Sequence, residues 1–204
     1  MVKKFLDDAY RHGPGLEAER FYDAWADSYD EELAENGYVT PRRCALSLAA
    51  ATEERGRPVL DLGCGTGLSG VALRAEGFTV IDGWDPSAEM IRRAEARDAY
   101  RVLRQIEPDG PLTAPAGAYA AIVAVGVLAP GLAPPEALDQ CLRLLAPGGL
   151  MCFSLNDFTI ADGAHEVRLK ALEEAGKLEL VSREYGEHIR SRGMGADVIV
   201  IRKT

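Results

Sequence analysis

The stretch Val59-Leu60-Asp61-Leu62-Gly63-Cys64-Gly65-Thr66-Gly67-Leu68-Ser69-Gly70 is where residue type and spacing most clearly point to chemistry. Apolar residues of a buried strand run into three alternating glycines, and bare backbone there lets an anionic or backbone-hugging ligand approach closely before a helix begins. Asp85 follows Gly67 by eighteen residues, at the end of the next apolar run in Val80-Ile81-Asp82-Gly83-Trp84-Asp85-Pro86-Ser87. A carboxylate at a strand end can accept both hydroxyls of a ribose. Glycine loop and acid together predict a nucleoside-bearing cofactor. The spelling Gly65-Thr66-Gly67-Leu68-Ser69-Gly70 also satisfies the GxGxxG pattern of dinucleotide folds. Asp61, however, stands inside the strand where those folds place an apolar residue, and its carboxylate can receive an ammonium group or order the loop.

The elements that must position these residues are legible from hydrophobic rhythm. Ahead of residue 56, Leu16, Phe21, Tyr22, Trp25, Tyr29 and Leu33 recur mostly at intervals of three or four among Glu and Asp, which predicts helix. A further helix follows Pro41, with Thr40 as its cap. Residues 1–56 are thus a helical arm, or lid, and residues 57–204 the core. In the core, strands are expected near 58–62, 79–84, 101–106, 120–126, 150–155, 178–185 and 196–202, with helices near 67–76, 87–98, 135–146 and 164–176. About ten residues separate the last two strands, too few for a crossover helix, so they should pair antiparallel. The fold class is α/β: a Rossmann-like doubly wound sheet of about seven strands, mostly parallel, closed by an antiparallel C-terminal hairpin.

Composition excludes several alternatives. The chain has 204 residues with 23 basic against 32 acidic side chains, a net charge of −9, and no cluster of Lys and Arg to displace phosphate counterions, so a nucleic-acid partner is not expected. The longest apolar stretch, 119–135, is broken by Gly126, Pro130, Gly131 and Pro134, so neither a signal peptide nor a membrane span is expected. Cys44, Cys64, Cys141 and Cys152 lack CxxC spacing, which fits free thiols in a reducing cytoplasm and no metal site.

Taken together, DLGCGTG at 61–67, the strand-end Asp85, YAAIVAVGVL at 119–128 and LLAPGGL at 144–150 resemble the class I S-adenosylmethionine-dependent methyltransferases. FYDAWADSYDEELAENGYVTP at 21–41, SLND at 154–157 and EYGEHI at 184–189 look like the Williams–Beuren-region type methyltransferase family. The resemblance implies that S-adenosylmethionine binds here, leaving S-adenosylhomocysteine as product. It implies that Asp61, Gly63, Cys64, Gly65 and Gly67 surround the methionine part of the cofactor, that Asp85 holds the ribose, and that Pro86 and Met90 flank the adenine. Val125, near the end of the fourth strand, joins the same cofactor set. The family's acidic contact to the adenine amino group corresponds to Glu107, with Asp109 as the alternative. Pro108 has no N–H to supply the usual neighbouring backbone bond. Tyr29, the second Tyr of the Tyr-Asp-x-Trp-Ala-x-x-Tyr-Asp run, would lie over the cofactor, where an aromatic face stabilises a sulfonium.

Methyl transfer from a sulfonium is an in-line displacement with a pre-activated leaving group, so orientation and exclusion of water are the main tasks, and a base is needed only for a protonated acceptor. His188, expected between the last two strands beside Tyr185, and Asp157, after the fifth strand, are the candidates alongside Tyr29. Asn156 and Asp157 can equally form an Asx turn capping the next helix. Arg42 or Arg43 can reach the cofactor carboxylate. The expected activity is methyl transfer to a small-molecule acceptor. Two alternatives stay open: an S-adenosylmethionine-binding protein without transfer activity, and an NAD(P)-dependent oxidoreductase.

Overall fold

The computed structural model describes residues 5–9 and 13–204. Three helices, α1 (Leu16–Trp25), α2 (Tyr29–Glu35) and α3 (Thr40–Ala51), precede a core that runs β1 (Val59–Leu62), α4 (Leu68–Ala75), β2 (Ile81–Asp85), α5 (Ala88–Glu95), β3 (Val102–Gln105), β4 (Tyr119–Ala124) and α6 (Ala137–Leu144). It continues with β5 (Leu145–Asn156), α7 (Asp157–Asp162), α8 (Ala164–Glu174), β6 (Leu178–Ile189) and β7 (Met194–Lys203). The sheet has seven strands in the order β3-β2-β1-β4-β5-β7-β6. β3 to β5 run parallel, whereas β7 lies antiparallel between β5 and β6. The doubly wound sheet with a terminal hairpin is therefore as the apolar rhythm predicts.

The period-two alternation of the strands divides the core between two faces. Leu60, Ile122, Met151 and Ile199 pack with Leu138 of α6 and Leu169 of α8. Their neighbours Val59, Ala121, Leu150 and Val198 pack with Leu48 of α3 and Leu73 of α4. Asp61 alternates onto the second face with Val59 and is as buried as its apolar neighbours.

Several local expectations change. Thr40 is the first residue of α3 rather than its cap, because its hydroxyl lies 2.7 Å from Nδ1 of His188 and is engaged there. The hairpin strands extend to Ile189 and Met194, so His188 sits within β6 and not in a loop. Two glycines hid this from the sequence, since each marks a point where another side chain crosses the strand. A Cβ on Gly186 would stand 2.9 Å from the Arg43 guanidinium, and one on Gly195 would stand 2.1 Å from the Tyr185 hydroxyl. α7 is an additional short helix, capped by Asn156, which accepts from the Thr159 N–H at 3.0 Å.

The N-terminal helices are fastened by buried polar groups as well as by aromatic packing. Glu32 of α2 accepts from the backbone N–H of Leu6 at 3.0 Å and from the Trp25 indole at 2.8 Å, which satisfies a carboxylate that is only 8% exposed. Arg43 of α3 donates to the carbonyls of Glu184, Glu187 and Ala196, tying α3 to the terminal hairpin.

Gly83 of β2 tests this packing. A Cβ there would meet Leu103 Cδ2 at 2.7 Å and the Tyr100 ring at 2.8 Å. Gly83→Ala is expected to destabilise the fold by about 1–3 kcal/mol through overpacking. Urea denaturation checks this: the midpoint should fall at constant slope.

Candidate active site

The carboxyl ends of β1 to β4 open into a cavity of about 180 Å³. Leu62, Gly63 and Gly65 line it after β1, Asp85, Pro86 and Ser87 at the end of β2, Ile106 to Gly110 after β3, and Val125 to Val127 after β4. Met90 of α5 and Gln140 of α6 add walls, and Ala18, Glu19 and Tyr22 of α1 with Tyr29 of α2 form the roof. Ligands of open α/β sheets bind at this end of the strands.

The glycine loop is shaped by its own hydrogen bonds. The N–H groups of Gly63 and Cys64 both donate to the Trp84 carbonyl, at 2.7 and 3.1 Å, and Gly67 N–H returns to the Cys64 carbonyl at 2.9 Å. Gly63 has φ +67, and a Cβ there would stand 2.3 Å from Val127 Cγ2, so glycine is required on both counts. Gly65 N–H donates to Asp85 Oδ2 at 2.8 Å, while Ser87 N–H donates to Oδ1 at 2.9 Å. Asp85 thus closes the loop and presents its carboxylate to the cavity. Burial raises its pKa to about 6 against those two hydrogen bonds, with the Asp23 charge adding to the rise.

Beneath the loop, Asp61 Oδ2 accepts from the Ser69 hydroxyl at 2.6 Å and the Tyr100 hydroxyl at 2.7 Å. Its Oδ1 is buried without a hydrogen-bond partner among the described residues. Burial pushes Asp61 up to about 6 as well, outweighing the two hydroxyl bonds. Tyr100 also accepts from the Gly70 N–H at 3.1 Å, so one phenol ties the carboxylate to the first turn of α4. Sequence reasoning missed Tyr100. The signal that could have found it is the pair Gly70 and Gly83, where a Cβ would clash with the ring at 2.3 and 2.8 Å.

The Asp residues interleaved with the apolar positions of these helices latch the roof down. Asp23 accepts from the Ser87 hydroxyl and from the Glu89 N–H. Asp30 accepts from the Thr66 hydroxyl at 2.5 Å and pairs with Arg97. Arg93 pairs with Asp27. These contacts join residues 23–30 to the glycine loop and to α5.

Of the residues proposed from sequence, Tyr29, Gly63, Gly65, Asp85, Pro86, Met90, Glu107 and Val125 come together around the cavity. Asp109 lines it beside Glu107. Asp61, Cys64 and Gly67 lie outside the lining and shape the loop from behind. Gly67 is the left-handed N-cap of α4. Burial, helped by the charges of Asp85 and Asp61, pushes the Cys64 thiol well above its ordinary range, so it stays protonated. The candidate bases are placed elsewhere. His188 is buried, edge-on to Tyr38 at 5.3 Å between ring centroids, and desolvation pushes its pKa down to about 4. It is neutral at physiological pH and helps join β6 to the start of α3. Asp157 accepts from the Tyr185 hydroxyl at 2.8 Å and the Gly195 N–H at 2.7 Å, bracing the hairpin. Neither residue is among those lining the cavity. Arg43 is committed to the hairpin carbonyls described above. No group of three or more potential metal ligands occurs among the described residues.

A carboxylate under the glycine loop, in a sheet whose last strand enters antiparallel, separates this architecture from dinucleotide-binding folds and defines a class I S-adenosylmethionine-dependent methyltransferase. The chain belongs to the methyltransferase domain family, whose model matches residues 33–192. It is 36% identical over 165 residues to human methyltransferase-like protein 27, covering 78% of this chain and 67% of that protein. It is 35% identical over 104 residues to a ubiquinone biosynthesis O-methyltransferase from Caulobacter sp. (strain K31), covering 49% of this chain and 41% of the other. The fold is shared with the crystal structure of the (4+2)-cyclase SpnF at TM-score 0.73 and 19% identity, over 94% of this chain and 97% of that one.

The raised Asp61 pKa has a measurable sign. A carboxyl that binds its proton more tightly in the folded state contributes stability in full below the unfolded value of 3.8, and this is lost as pH rises through about 6. Relative to Asp61→Asn, which does not titrate, the free wild-type protein should lose about 2 kcal/mol of stability between pH 4 and pH 7. Denaturant titrations of both proteins across that window check the difference.

Proposed function

We propose that this protein transfers a methyl group from S-adenosylmethionine to a small-molecule acceptor held beneath the lid. The observation that carries this reading is the gathering of Gly63, Gly65, Asp85, Pro86, Met90, Glu107 and Val125 around one cavity. Two details fit the cofactor. The position of a Cβ on Gly65 is open space, so a ligand can lie against that backbone, and the unpartnered buried Asp61 Oδ1 sits under the loop that would surround the cofactor's amino acid part. Similarity to a ubiquinone biosynthesis O-methyltransferase supports a small acceptor.

In this reading Asp85 accepts the ribose hydroxyls, Pro86 and Met90 flank the adenine, and Glu107 or Asp109 meets its amino group. When bound, S-adenosylmethionine supplies an activated methyl group on a sulfonium. The chain's own residues bind, orient and exclude water: Tyr22 and Tyr29 cover the cavity, and the latches at Asp23 and Asp30 hold them there. Aromatic rings next to a sulfonium are stabilising. With His188 committed to Thr40, an acceptor that arrives protonated gives its proton to a cavity carboxylate or to water. The buried free cysteines fit a reducing compartment, the cytoplasm. No helix among the described residues is long and apolar enough to cross a membrane.

Calorimetric titration with S-adenosylmethionine, S-adenosylhomocysteine and NAD tests the reading. Binding of the first two without the third is expected, and NAD binding alone would overturn it. Asp85→Ala should weaken S-adenosylhomocysteine by about 2 kcal/mol, the loss of charge-assisted bonds to two hydroxyls. Because Asp85 titrates near 6, wild-type affinity should fall by up to about tenfold per pH unit below 6 and level off above it. A flat pH profile would remove the carboxylate from the ribose site.

A further inference from the structure

We propose that α1 closes over the nucleoside half of the cofactor and that Glu19 is an additional carboxylate in its recognition, accepting a hydrogen bond from the adenine amino group or a ribose hydroxyl. This deepens the methyltransferase reading and rests on it. The N-cap Gly15, Glu19 and Asp23 recur every four residues, so they lie in one row along a single face of the helix. Both ends of that row are fixed on the core. A Cβ on Gly15 would stand 2.8 Å from Asp109 Oδ2, so the start of α1 lies against the loop after β3. Asp23 accepts from the Ser87 hydroxyl and, at 3.3 Å, from the Glu89 N–H, so the far end lies against the turn after β2. Glu19 is midway between the two, lines the cavity and is half-buried. It therefore stands over the space between the ends of β2 and β3, where the ribose and adenine are placed.

The chemistry of the row suits that ligand. Asp23 is spent on Ser87 and Glu89, whereas the Glu19 carboxylate makes no hydrogen bond or ion pair among the described residues. A partly desolvated carboxylate gains most from a donor that reaches it, and a nucleoside brings uncharged donors, two N–H on the amino group and two O–H on the ribose. On the sheet side, each oxygen of Asp85 already accepts one backbone N–H, from Gly65 on Oδ2 and from Ser87 on Oδ1. Glu19 adds acceptor capacity from the opposite side of the same ligand. Among the described residues that line the cavity there is no Lys, Arg or His beside Glu19, Asp85, Glu107 and Asp109. A phosphate-bearing nucleotide finds no counter-charge there, and an adenosine joined to a sulfonium meets no repulsion.

The experiment titrates the full chain with S-adenosylhomocysteine and with its 6-deamino, 2′-deoxy and 3′-deoxy analogues. Glu19→Ala is expected to weaken S-adenosylhomocysteine by about tenfold, the loss of one charge-assisted bond, with the melting temperature of the free protein unchanged. Glu19→Gln keeps an acceptor oxygen without the charge and should lose about threefold. One analogue should bind Glu19→Ala as well as it binds wild type, because the donor that Glu19 meets is already missing from it. The 6-deamino analogue doing so assigns the contact to the adenine, and a deoxy analogue doing so assigns it to the ribose. Unchanged S-adenosylhomocysteine affinity in Glu19→Ala overturns the proposal. An equal loss for all four ligands, or a fall in the melting temperature of both free variants, also overturns it by giving Glu19 a structural role. Failure of the wild-type protein to bind S-adenosylhomocysteine removes the underlying reading first, and the proposal with it.

Discussion

Everything at the ligand end of this sheet is built on two carboxylates held out of water. Asp61 and Asp85 lie near the carboxyl ends of adjacent parallel strands, both are almost fully buried, and both are shifted toward their protonated forms by the cost of that burial. Burying a carboxylate is tolerable only when hydrogen bonds surround it. The glycine loop is the means by which they do so: Gly65 and Ser87 donate to Asp85, and Ser69 and Tyr100 donate to Asp61. The loop conformation, the first turn of α4 and the ring of Tyr100 follow from that requirement, as do the glycines at 70 and 83 that make room for the ring.

The N-terminal helices obey the same logic at lower cost. Their aromatic residues supply apolar area, with Trp25 edge-on to Tyr29 at 4.6 Å, but apolar packing is non-directional and would not set their register on the sheet. Asp23, Asp27 and Asp30 recur along α1 and the start of α2, and each meets a partner on the glycine loop or at α5. These bonds are directional. They place Tyr22 and Tyr29 over the cavity and leave Glu19, one turn earlier on α1, facing into it. The acidic composition that argues against nucleic acid therefore has a local use, as the fastening and lining of the site.

The two candidate bases show how a chemically plausible residue is claimed by structure instead. His188 has the right type and lies near the right end of the sheet, yet it is spent on joining β6 to α3 through Thr40, and desolvation holds it neutral. Asp157 is equally spent on Tyr185 and Gly195. Methyl transfer has little need of a base, so a site without His188 and Asp157 in its lining is consistent with a reaction that depends on orientation.

The sequence by itself determined the α/β class, the strand count, the terminal hairpin and most of the residues that gather around the cavity at the ends of β1 to β4. These rest on short-range physics: period-two apolar runs define buried strands, glycines permit a tight loop, and Ser87 caps the helix that follows Asp85. Only the tertiary structure decided what lies far apart along the chain. Asp30 meets Thr66 across 36 residues, Thr40 meets His188 across 148, and Arg43 reaches Ala196 across 153. No local preference encodes such pairings, because each is chosen by which buried polar groups the packed elements bring within hydrogen-bond reach. For the same reason His188 was legible as a histidine near the site while its partner, its burial and its neutral charge were not.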